Sequence, residues 1–103
     1  MSDRIQSLEQ LLEDRPDDPR LRFGLALEYI GAGRLEEAER SLRRYLELAE
    51  DEGNAWGRLG GVLRELGRED EARQAYRTGI EVSLRHGHPS MAQEYEDVLE
   101  DWA

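Results

Sequence analysis

An all-α fold is predicted by three features of the chain. Apolar or small residues recur at spacings of three and four almost from end to end, glycine or proline breaks divide these stretches, and one block of sequence returns after 34 residues. The first stripe, Ile5, Leu8, Leu11 and Leu12, predicts a short helix near 3–14, ended by Arg15-Pro16 because proline disfavours helix at the residue before it. Asp18-Pro19 then restarts the chain, with Asp18 as N-cap and Pro19 at the first helical position. Leu21, Leu25, Ala26 and Tyr29 carry that second helix over 19–31. Gly33 sits where it must stop, since glycine alone enters the left-handed cap conformation without steric cost. A third helix, near 35–49, shows Leu35, Ala38, Leu42, Tyr45 and Leu46. A fourth, near 54–66, shows Trp56, Leu59, Gly60 and Leu63 before Gly67, and a fifth, near 69–86, shows Ala72, Tyr76, Gly79 and Ile80. Glu36 and Glu37, and again Glu69, Asp70 and Glu71, fall in first turns, where the helix dipole favours negative charge. Gly87-His88-Pro89-Ser90 breaks the chain once more, and Met91, Tyr95, Val98, Leu99 and Trp102 form a last stripe near 90–101.

The internal repeat organises these elements. Gly33-Arg34-Leu35-Glu36-Glu37-Ala38 aligns with Gly67-Arg68-Glu69-Asp70-Glu71-Ala72, and the same offset pairs Leu25 with Leu59, Arg43 with Arg77 and Glu47 with Glu81. Two helix hairpins follow, at 19–52 and 53–86, within one domain over 1–103. Residues 1–18 form a half repeat and residues 87–103 a capping helix, as the ends of stacked repeats require. The last stripe runs one residue late against the 34-residue frame, so the final connection is expected to hold an extra residue. Ala26, Ala38, Gly60, Ala72 and Gly79 are expected on facing helix surfaces, where small side chains let backbones approach.

Composition excludes several functions. The 103 residues give room for one domain that buries roughly two-thirds of its unfolded surface. Acidic residues outnumber basic ones 24 to 14, a net charge of −10 that repels phosphate backbones and anionic lipid, so neither nucleic acid nor membrane is an expected partner. All the basic residues are arginine. With no cysteine, no signal segment and no apolar run approaching about 18 residues, a cytoplasmic protein is expected. No catalytic constellation is legible. His86 and His88 across a glycine turn, with a carboxylate such as Glu94, supply too few ligands for structural zinc and read as a solvated helix end. The serines lack a nucleophile motif, the acidic runs lack the calcium-loop pattern, and Gly57, Gly60 and Gly61 lie inside a helix with no lysine after them. The expectation is a protein that is not an enzyme and carries no cofactor or metal.

The second copy reads Trp56-x2-Leu59-Gly60-x2-Leu63, then Gly67, then Ala72-x3-Tyr76, and the first reads Arg22-x2-Leu25-Ala26-x2-Tyr29, Gly33, Ala38-x3-Leu42. This resembles the tetratricopeptide-repeat family, whose signature is Trp-x2-Leu-Gly-x2-Tyr, Ala-x3-Phe and a closing proline. Leu63 and Arg22 depart from it, and both full copies lack the proline, which Pro16 supplies in the half copy. The resemblance implies a right-handed superhelix of antiparallel hairpins whose first helices line a concave groove for a peptide or a partner's helix. The groove positions it implies are Arg20, Phe23, Leu27 and Ile30 in the first copy and Asn54, Gly57, Gly61 and Arg64 in the second. Phe23, Leu27 and Ile30 lie on a face apart from the core stripe, so their helix is apolar nearly all round and needs burial on two sides. Either a partner covers that face, with Arg20 and Arg64 orienting carboxylates, or the face packs on the first or last helix. Gly57 and Gly61 read as an open trough. The carboxylate clamp of the heat-shock co-chaperone branch is not visible, because Phe23, Leu27 and Arg58 stand where cationic and amide side chains belong. The function expected is a protein-binding adaptor. A homodimer built on the same surface, or a regulatory segment of a larger complex, is the alternative.

Overall fold

The breaks in the sequence act as expected, and the residues at them show why. The computed structural model describes residues 3 to 102. Six helices follow one another: α1 (Asp3–Asp14), α2 (Pro19–Gly31), α3 (Leu35–Leu48), α4 (Asn54–Glu65), α5 (Glu69–Arg85) and α6 (Pro89–Asp101), with no strand among the described residues. Asp18 caps α2, its carboxylate accepting from the Arg20 and Leu21 amides, with Pro19 in the first turn. Gly33, Gly67 and Gly87 take φ of 74°, 79° and 78°. That left-handed step turns the next amide back onto the helix just ended: Arg34 N–H to Tyr29 O, Arg68 N–H to Leu63 O and His88 N–H to Ser83 O, at 2.9, 2.9 and 2.8 Å. One device thus closes three hairpin turns.

The first turns of α3 and α5 hold the expected acidic residues. Each is also tied by a two-pronged arginine pair, Arg34 to Glu37 and Arg68 to Glu71, in which every contact is 2.7 to 2.9 Å. The late register of the last stripe has a different origin from the one expected. α3 has 14 residues and is followed by a connection over 49–53, whereas α5 runs for 17 and the connection over 86–88 is shorter. The extra residue is taken up by a longer helix, because Gly87 repeats the hairpin stop one turn further along.

The helices form two compact units, dividing between Glu50 and Asp51. In the first, α2 packs on both α1 and α3, around Ile5, Leu12, Leu25, Tyr29 and Leu42. In the second, α5 packs on both α4 and α6, around Leu59, Leu63, Tyr76 and Val82. Leu42, Leu59 and Leu63 are almost wholly enclosed, and each such side chain contributes about 1.5–3 kcal/mol by leaving water. Ala26, Ala38 and Ala72 have no exposed surface, in line with close helix approach. Gly60 and Gly79 do something else. A Cβ on Gly60 would lie 2.7 Å from the Tyr76 ring, and one on Gly79 would lie 3.0 Å from the Tyr95 ring. These glycines make room for aromatic rings.

Candidate binding surface

In the first unit, the implied positions fall on the side of α2 away from its most buried residues. Leu25, Ala26 and Tyr29 are the buried residues of α2. The Tyr29 hydroxyl donates to Glu9 on α1, and burial, reinforced by that carboxylate, pushes its pKa up to about 12. Tyr29 is thus a neutral pin between α1 and α2 at any ordinary pH. Phe23, Leu27 and Ile30 are half-buried, and Arg20 is exposed. The Phe23 ring lies 5.0 Å from that of Tyr45 on α3 at a 46° tilt, so it rests in part on its own hairpin mate. Tyr45 sits in the core stripe read from the sequence, and nothing there shows that it also reaches Phe23.

In the second unit, Tyr95 of α6 and the following Trp102 reach part of the corresponding face of α4. Gly57 is buried, and a Cβ placed on it would fall 2.3 Å from the Tyr95 phenol. At Gly57 the expected open trough is therefore filled by the chain itself. The Tyr95 hydroxyl donates to the Gly53 carbonyl at 3.0 Å and its ring meets Tyr76 at 5.7 Å. Burial, then the negative charge of Asp51, pushes its pKa up to about 12. Gly61 is half-buried, and an added Cβ would lie 3.6 Å from the Tyr76 hydroxyl, an ordinary contact. Asn54 is exposed. Arg64 is exposed as well, but its guanidinium lies 4.2 Å from the centre of the Trp102 ring, so it already has a cation–π partner. The sequence held one signal for this arrangement, since Tyr95 and Trp102 are seven residues apart and share a helix face.

The groups considered for chemistry lie apart from these faces. His88 meets the Glu52 carboxylate at 2.6 Å, not Glu94, and holds Glu52 below the usual carboxylate range. His86 is the C-cap of α5. Among the described residues no group of three His, Asp or Glu side chains is placed to hold a metal ion, and no helix is long and apolar enough to cross a membrane.

Each first helix is thus followed by a left-handed glycine and an antiparallel mate, with small residues at the crossing. The family model described as tetratricopeptide repeat matches residues 1–84. The chain belongs to the tetratricopeptide-repeat family. It is also 33% identical over 90 residues to the TPR repeat-containing protein PA0015 of Pseudomonas aeruginosa, covering 87% of this chain and 86% of that protein. Membership points to a protein–protein interaction module.

Proposed function

We propose that the chain is a non-catalytic, cytoplasmic adaptor that holds a peptide or helix of a partner protein against α2, with Phe23, Leu27 and Ile30 as anchors and Arg20 at the rim. The observation that carries this reading is the second apolar face of α2, on which three large side chains at helical spacing stay only half-buried while Leu25, Ala26 and Tyr29 serve the core. The matching positions of α4 offer no comparable anchors, because Gly57 and Arg64 are engaged by α6. Anchors of this type carry most of the energy of helix-in-groove recognition.

The test is affinity capture with the wild type and Leu27→Glu side by side, together with light scattering of both. A partner held by the wild type and lost with Leu27→Glu, at unchanged helix content, supports the adaptor. A wild-type dimer that Leu27→Glu converts to a monomer moves the same face to self-association. Capture that Leu27→Glu leaves intact removes α2 from the site.

A further inference from the structure

The second unit holds a built aromatic socket that the α2 reading does not use. Trp102 follows α6 directly and is only 8% exposed. The guanidiniums of Arg64 on α4 and Arg73 on α5 lie over its indole, 4.2 and 4.7 Å from the ring centre. The indole N–H donates to Glu69 Oε1 at 2.9 Å, Arg73 donates to the Trp102 carbonyl at 3.4 Å, and the Tyr76 ring meets the indole edge at 6.2 Å. Seven residues earlier, Tyr95 fills the space left by Gly57 and Gly79. Every wall of this socket belongs to α4 or α5, and both aromatic plugs belong to the α6 segment.

Apart from the plugs, the helix that carries them packs on α5 but buries few side chains of its own. Ala92 is its one buried residue, where α4 has six. Glu94, Glu96, Asp97, Glu100 and Asp101 are all exposed, and none takes part in an ion pair among the described residues. Glu100 and Asp101 lie in the last turn, where the helix dipole disfavours negative charge, and that turn holds no basic residue of its own. An element with few buried contacts and uncompensated charge opens before its neighbours do.

We propose that the α4–α5 hairpin is an acceptor for an acidic helix carrying two aromatic residues seven apart, and that α6 occupies it in cis as a detachable latch. The partner class is set by the occupant: an acidic amphipathic helix whose terminal indole enters beneath Arg64 and Arg73 while a phenol reaches Gly57. Tethering gives α6 an effective concentration on the order of millimolar, so a free segment competes poorly until the latch is weakened. The proposal is independent of the α2 face.

The test uses the full chain and a labelled synthetic peptide of residues 87–103. By fluorescence anisotropy, Trp102→Ala should bind the peptide at least tenfold more tightly than the wild type does. The same peptide with its tryptophan changed to alanine should lose that gain. In hydrogen exchange, Trp102→Ala should strip protection from α6 and leave α4 and α5 protected. Arg64→Gln, which alters an exposed wall of the socket, should give the same selective loss. Equal binding by wild type and Trp102→Ala, or no binding to either, overturns the proposal. So does loss of protection in α4 and α5 together with α6, which would make Trp102 an ordinary core residue.

Discussion

α2 and α4 hold the same place in two copies of one repeat, and they have been put to opposite uses. Both give Leu and a small residue to the hairpin core, Leu25 with Ala26 and Leu59 with Gly60, all nearly or fully enclosed. On their other faces α2 carries Phe23, Leu27 and Ile30, whereas α4 carries Gly57, Gly61 and Arg64, of which Gly57 lies under Tyr95 of α6 and Arg64 against the following Trp102. The repeat signature therefore specifies the crossing of the two helices and leaves the far face to vary.

The sharpest way to break this comparison is in the shared core. Leu25→Ala and Leu59→Ala should each cost about 2–5 kcal/mol, by a similar amount, in denaturant titration, because both leave a cavity beside an enclosed hairpin crossing. A cost at one and none at the other would show that the two copies are not equivalent even where their sequences match.

The far faces should then separate. Gly57→Leu forces Tyr95 out of its place and should cost about 1–3 kcal/mol through overpacking, with α6 losing protection first. Phe23→Ala removes one aromatic contact from a half-buried ring and should cost about 0.5–1.5 kcal/mol, less than Leu25→Ala. A reversal of that order would make α2 the covered helix and α4 the open one.

Ionisation offers a milder probe of the same pairing. Tyr29 and Tyr95 both have folded-state pKa values raised from 10.0 to about 12, so each contributes stability that is complete below pH 10 and lost as pH rises through about 12. Alkaline melts followed by tyrosinate absorbance should show a loss in that window. Tyr95→Phe should reduce the loss, and an unchanged alkaline limb would mean that Tyr95 is wet. At Tyr95, which is half-buried, the effect is smaller than the full shift implies.

How much of this was legible beforehand follows from the range of each interaction. Helix limits came out within about one residue because Asp18-Pro19, Gly33 and Gly67 act through backbone geometry that is local in the chain. The location of the extra residue was misjudged, since a left-handed stop at Gly87 reads the same whether the helix before it is short or long. The far faces were the least legible. That Gly57 lies under Tyr95, or that Trp102 lies under Arg64 and Arg73, depends on contacts 29 to 38 residues apart in sequence, which periodicity does not register.

The smallest expected effect is that of salt, and it contrasts α3 with α6. On α3 two of the three arginines are paired: Arg43 with Glu39 at 2.8 Å, and Arg44 with Glu47 and Asp17 at 3.0 and 2.5 Å. α6 instead holds five carboxylates that form no ion pair among the described residues. Screening weakens attraction in the first case and repulsion in the second, so the two helices should respond with opposite sign. Raising salt from low ionic strength to about 0.5 M should increase amide protection in α6 and lower it slightly in α3. The melting temperature of the whole chain should rise, because a net charge of −10 makes repulsion the larger sum. Parallel behaviour of the two helices would mean that α6 is held by charge contacts as α3 is, and the distinction between a paired helix and a latch would fall.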